Sequence, residues 1–100
     1  MIASIKGQST QDIFDGIESK ASRKIPSELH DKARRLLDLI NAAARPSDLG
    51  PPKGAPGNHL KRLKGYKRDF FSVRVNDQWR VIFRWHGGQP HEVEIVDYHG

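Results

Sequence analysis

Between Phe71 and Trp85 the chain alternates apolar and polar residues in two short runs, Phe71-Ser72-Val73-Arg74-Val75 and Trp79-Arg80-Val81-Ile82-Phe83-Arg84-Trp85. Successive side chains on a strand point to opposite faces, so this period fits half-buried strands and not a helix. Asn76-Asp77 lies between the runs, and both residue types tolerate the positive φ of a tight turn. An antiparallel hairpin is therefore expected. Its alternation sends Phe71, Val73, Val75, Trp79, Val81, Phe83 and Trp85 to one face, and Ser72, Arg74, Arg80, Ile82 and Arg84 to the other. The first face needs a covering layer, with both tryptophans in the core. The second is expected to stand open to water.

A lone hairpin is marginal in water, so further elements must pack on it. His86-Gly87-Gly88-Gln89-Pro90 reads as a second turn, and Glu92 to Val96 as a last strand that runs into Asp97-Tyr98-His99. Pro26-Ser27-Glu28 opens a helix whose apolar stripe is Leu29, Ala33, Leu36, Leu37, Ile40 and Ala44, with Asp31, Lys32, Arg35 and Asp38 opposite. Ser9-Thr10-Gln11-Asp12 resembles a helix start, and Ile13, Phe14 and Ile17 predict a shorter helix from about Thr10 to Ser19. The first six residues, Met1-Ile2-Ala3 into Ser4 to Lys6, suit an edge strand. Four prolines and three glycines between Arg45 and Gly57 exclude a regular element there and predict a mobile loop. The expected fold is α+β: an N-terminal strand and a two-helix hairpin packed on a small, largely antiparallel twisted sheet. At 100 residues there is room for one core, so residues 1–100 are expected to form one domain.

Charge is concentrated on the hairpin and the segment before it. Residues 58–86 hold eight basic and two acidic side chains, a net of +6, against +5 for the whole chain. Such a field attracts polyanions, and it equally keeps a small domain soluble. With no cysteine, disulfides, thiol nucleophiles and thiolate metal sites are excluded. The spacing of His30, His59, His86, His91 and His99 matches no zinc pattern, and no phosphate-binding glycine loop or nucleophile elbow is present. No metal or other cofactor is expected. Neither an apolar run of roughly 20 residues nor a leader-like N-terminus is seen, so no membrane contact and a cytoplasmic placement are expected.

Three segments together, Leu60-Lys61-Arg62-Leu63-Lys64-Gly65, Phe71 to Phe83, and Val93-Glu94-Ile95-Val96-Asp97-Tyr98-His99, resemble the HigB branch of the RelE/ParE toxin superfamily. The resemblance implies a RelE-like β-α-α-β-β-β fold and a type II toxin that cuts messenger RNA on the ribosome. It also implies a cognate helix-turn-helix, HigA-like antitoxin encoded alongside, through which operator DNA is bound. Lys61 stands where some members of that family carry a histidine. Two other outcomes fit the same resemblance: a ParE-like toxin that poisons DNA gyrase without nuclease activity, and a weak or degenerate toxin that serves as an antitoxin-binding corepressor.

Metal-free RNA cleavage uses the 2′-hydroxyl as nucleophile, so the site must accept a proton, stabilise the phosphorane and protonate the leaving oxygen. A guanidinium is always charged and forks onto two oxygens, which makes Arg80 the expected phosphorane clamp unless it pairs with Glu92 or Glu94. His99 is the expected proton carrier, since imidazole titrates near neutral pH. Asp97 is expected either to orient His99 or to act as the base, and Tyr98 to stack on a base or donate a hydrogen bond. By alternation Tyr98 shares a face with Glu94 and Val96, and Asp97 shares the other with His99. Lys61 and Lys64 are expected to hold backbone phosphates, Lys64 with a catalytic role if its pKa is lowered. Arg62, Lys67, Arg68, Arg74 and Arg84 are the expected RNA and ribosome contacts.

Overall fold

In the computed structural model, which describes residues 1–50, 60–63 and 70–97, two helices precede a four-stranded antiparallel sheet. The elements are α1 (Gln8–Asp15), α2 (His30–Ala42), β1 (Lys61–Arg62), β2 (Phe70–Arg74), β3 (Trp79–His86) and β4 (Gln89–Asp97). The strands lie in sequence order across the sheet. This is the expected α+β architecture, with the N-terminal strand reduced to a single parallel bridge, Ile5 to Val93. β1 is a two-residue addition that the alternation did not announce.

The hairpin forms as its pattern requires. Val73, Val75, Val81, Phe83, Val93 and Ile95 bury one face of the sheet against Ile13, Ala33, Leu36, Leu37 and Ile40 of the helices. Trp79 and Trp85 pack against this core, and Phe83 stacks on Phe71 with ring centroids 6.0 Å apart. The Asn76-Asp77 connection works differently from expectation. Neither residue takes a positive φ; instead the Asn76 side-chain oxygen accepts the Gln78 and Trp79 backbone N–H groups at 2.9 and 2.7 Å. At the other end Gly87 and Gly88 both have positive φ, which a two-residue hairpin turn of the primed kind demands.

The helix edges moved for identifiable reasons. α1 starts at Gln8 because Thr10 and Asp12 are spent on tertiary contacts and not on capping. It ends at Asp15, four residues before the expected Ser19: Gly16 is left-handed, and Gly16 and Ile17 N–H bond back to Ile13 and Asp12 carbonyls. α2 begins at His30 after a 3-10 turn over Ser27–Leu29, and it ends at Ala42, so Ala43 is buried in place of the expected Ala44. The expected irregular stretch also opens with regular structure, a 3-10 turn over Pro46–Leu49 that puts Leu49 in the core. Its remainder, residues 51–57, lies outside the described residues.

The exposed edge of β4 is closed by the N-terminal third of the chain. Val93 and Lys6 N–H bond to Ser4 and Val93 carbonyls, and Thr10 Oγ1 accepts the Ile95 N–H at 2.9 Å. Thr10 is buried, so Thr10→Val, which keeps the shape and deletes the acceptor, is expected to cost about 1–3 kcal/mol in chemical denaturation. Asp12 accepts hydrogen bonds from Ser19 Oγ and Gln8 Nε2, both at 2.6 Å. These, led by Ser19, hold its carboxyl below the ordinary 3.8 against the opposing pull of burial. A depressed carboxyl stabilises the fold above its unfolded value and loses that contribution as pH falls through the folded one. Thermal melts of Asp12→Asn and the parent should therefore differ by a steady amount above pH 3.8 and converge as the pH falls below it.

Candidate functional site

Register places the arginines on the sheet face away from the helices. Arg74 stands opposite Arg80, and Arg80 opposite Val96; in the next row Lys61, Ser72, Ile82 and Glu94 follow one another across all four strands. The third row sets Phe70 against Arg84 and Arg84 against His91. This face is not simply open to water, as the alternation alone suggests. Ser72 has no exposed surface and Ile82 has 5% of its surface exposed, so the middle of the face is closed and the charged groups surround it.

Each arginine is held by a different partner. Arg74 pairs with Asp77 in the β2–β3 connection. Arg84 Nε lies 3.1 Å from Glu92, so Glu92 does not serve Arg80. Arg80 donates its Nε–H to Ser72 Oγ at 2.9 Å. Glu92 is held at this position by a bulge between Ile82 and Arg84, where it adopts a φ of 52° and its N–H is taken by Ser4 Oγ. Among the described residues it is the one non-glycine side chain in the left-handed region, normally avoided by L residues.

The remaining expected site residues divide. Lys61 is exposed on the arginine face, in register with Ser72. Arg62 is exposed but paired with Phe71, so it belongs to the opposite face of the edge strand. Asp97 pairs with Trp79, again on the helix-side face, and accepts a hydrogen bond from Gln78 Nε2 at 2.8 Å. The structure therefore does not gather Asp97 beside Arg80. Lys64, Lys67, Arg68, Tyr98 and His99 lie outside the described residues, as does His59. His30 is a buried residue that donates Nε2–H to the Ile25 carbonyl at 2.8 Å. Among the described residues no three His, Asp or Glu side chains converge as a metal site would require.

Three members of the arginine face escaped attention as site residues in the sequence: Phe70, Ser72 and Glu94. The signal was present, because Phe70 and Ser72 share the parity of Arg74, and Glu94 shares that of Val96, the partner of Arg80. Phe70 and Glu94 are half-buried. The face thus offers fixed cations at its rows, a carboxylate and an aromatic ring, a combination suited to a phosphate-bearing chain with bases to stack.

Comparison with known proteins places this geometry. The family model described as "RelE-like toxin of type II toxin-antitoxin system HigB" matches residues 11–99. Toxin HigB-1 of Vibrio cholerae serotype O1 is 39% identical over 71 residues, which cover 71% of this chain and 72% of that protein. An uncharacterized protein from Haemophilus influenzae is 38% identical over 72 residues, covering 72% and 68% respectively. A solved YoeB/ParE toxin from Agrobacterium tumefaciens superposes with a TM-score of 0.54 over 97% of this chain and 94% of that one. At 15% identity that likeness concerns the fold alone. A type II toxin family implies a cognate antitoxin, and no helix among the described residues is long and apolar enough to cross a membrane. The chain belongs to the HigB-like toxins, RelE-like members of type II toxin–antitoxin systems.

Proposed function

We propose that this toxin is a ribosome-dependent, metal-independent mRNA endonuclease, acting as one domain over residues 1–100 in the cytoplasm to stop translation and growth. The observation that carries the reading is the opposition of Arg80 and Arg74 on one sheet face. Asp77 offsets part of the Arg74 charge, and the gathering of Arg74, Arg80, Arg84 and Lys61 on this one face still favours a bound phosphate.

In the proposed reaction the 2′-oxygen attacks the adjoining phosphorus, the bond from phosphorus to the 5′-oxygen breaks, and the proton lost by the nucleophile is matched by one delivered to the leaving oxygen. Arg80 holds the charge of the phosphorane, for which a positioned donor is worth a few kcal/mol. His99 carries the proton, with Asp97 as its orienting group or as the base, and Tyr98 stacks on a base. A placed acid or base contributes about 10²–10⁴-fold. Because Asp97 stands on the helix-side face of β4, its share in this chemistry requires the strand end to bend or bulge at Asp97 itself. Lys61 and Lys64 hold backbone phosphates, while Arg62, Lys67, Arg68, Arg74 and Arg84 hold RNA and ribosome. The antitoxin is a helix-turn-helix protein encoded alongside, and operator DNA is reached through it.

Inducing the chain alone should arrest growth, and primer extension on a reporter transcript should show new ends inside its translated region. Co-expression of the neighbouring antitoxin gene should restore growth and remove those ends. DNA damage with intact transcripts would instead identify a gyrase poison. An abundant, folded chain that neither slows growth nor cuts would identify a degenerate member.

A further inference from the structure

We propose that Ser72 is a positioning residue for Arg80: its hydroxyl fixes the guanidinium plane in which the RNA phosphate is received. This rests on the nuclease reading above. Ser72 has no exposed surface although it lies in the middle of a strand, on the face directed away from the helices. A hydroxyl is a poor choice for such a place. Burying one without a hydrogen bond is unfavourable, and a β-branched apolar residue suits a strand better. Here the hydroxyl has a specific use, because Ser72 Oγ accepts the Arg80 Nε–H at 2.9 Å.

The register explains why this contact is available. Ser72 is paired with Ile82, so it lies diagonally from Arg80, two residues earlier on β3. Long side chains reach diagonal neighbours across a ladder. The bond is made at Nε, the one guanidinium nitrogen within the side chain, and it therefore sets the plane that contains both terminal nitrogens. Those nitrogens form the fork that matches a phosphate. Arg74 and Arg84 are oriented by the carboxylates of Asp77 and Glu92. A serine orients Arg80 without adding charge of its own. Ser72 touches neither RNA nor a reacting atom in this scheme and acts only through Arg80.

The test uses the full chain on programmed ribosomes, comparing parent, Ser72→Ala, Ser72→Thr, Arg80→Ala and the Ser72→Ala/Arg80→Ala double variant. Ser72→Ala should lower kcat by about 10- to 100-fold, the scale of a misplaced catalytic group, with KM for the ribosome little changed. Ser72→Thr keeps the hydroxyl and should recover most of the rate. In the Arg80→Ala background Ser72→Ala should add almost no further loss. In ¹⁵N spectra the Arg80 Nε–H should exchange faster in Ser72→Ala than in the parent and in Ser72→Thr. Equal losses from Ser72→Ala with and without Arg80, an unchanged kcat, or unchanged Nε–H exchange would overturn the proposal while leaving the nuclease reading intact. A parent chain that cuts nothing, or an Arg80→Ala variant as fast as the parent, would overturn both.

Discussion

Arg80→Ala is expected to cut ribosome-bound mRNA at least about 100-fold more slowly than the parent, since it removes a charged donor from the developing phosphorane. The loss should fall on kcat, because the interaction is stronger in the transition state than in the ground state. The fold should survive: Arg80 is half-buried on the face away from the helices, and the apolar cluster on the other face does not include it. Arg74→Ala and Arg84→Ala are expected to act more mildly, through KM and through its dependence on salt, as backbone-contacting cations do. Arg74 lies beside Asp77 and Arg84 beside Glu92, toward the rim of the face. Single-turnover cleavage beside a thermal melt of each variant checks this ordering. Arg80→Ala with parental kcat, or with a melt far below the parent, would contradict it.

Phe83→Ala is expected to cost about 3–5 kcal/mol, the usual range for deleting a buried aromatic side chain. Phe83 is fully buried in the middle of β3, stacked on Phe71 and edge-on to Trp85, with ring centroids 6.4 Å apart in the second pair. Its removal opens a cavity between both tiers of the hairpin and α2. In a domain of this length such a loss lowers the melting temperature by more than about 12 °C. Urea titration followed by tryptophan fluorescence measures it directly, since Trp79 and Trp85 both pack against the same core. A loss under about 1 kcal/mol would show that the sheet is not held by this cluster.

The hairpin was the most legible part of the sequence because period-two alternation fixes both register parity and face. Four of its fully buried residues, Val73, Val75, Val81 and Phe83, follow from that pattern, whereas Ser72 is as deeply buried on the face that the pattern left open to water. Helix edges were less legible. Ser9-Thr10-Gln11-Asp12 has the composition of a cap, yet Thr10 closes the edge of β4 and Asp12 anchors the link to α2, contacts that span up to 85 residues. Only the Gly16 stop could have been read locally. The site was half legible: parity put Arg74, Arg80 and Arg84 together, but it could not say which side chain would hold each. The bulge at Glu92 decides that, and a positive φ at glutamate has no sequence signal. Parity likewise split Asp97 from Arg80, and the structure keeps them on opposite faces.

The end left on the cut message tests the central claim most directly. Attack by the 2′-hydroxyl on the phosphate held by Arg80 must leave a 2′,3′-cyclic phosphate on the upstream fragment and a 5′-hydroxyl on the downstream one. Purified chain, programmed ribosomes and a labelled mRNA, followed by end-group analysis of both fragments, should return that pair of ends, and Arg80→Ala should return intact mRNA. A 3′-hydroxyl paired with a 5′-phosphate, or an mRNA left whole by the parent chain, would contradict it.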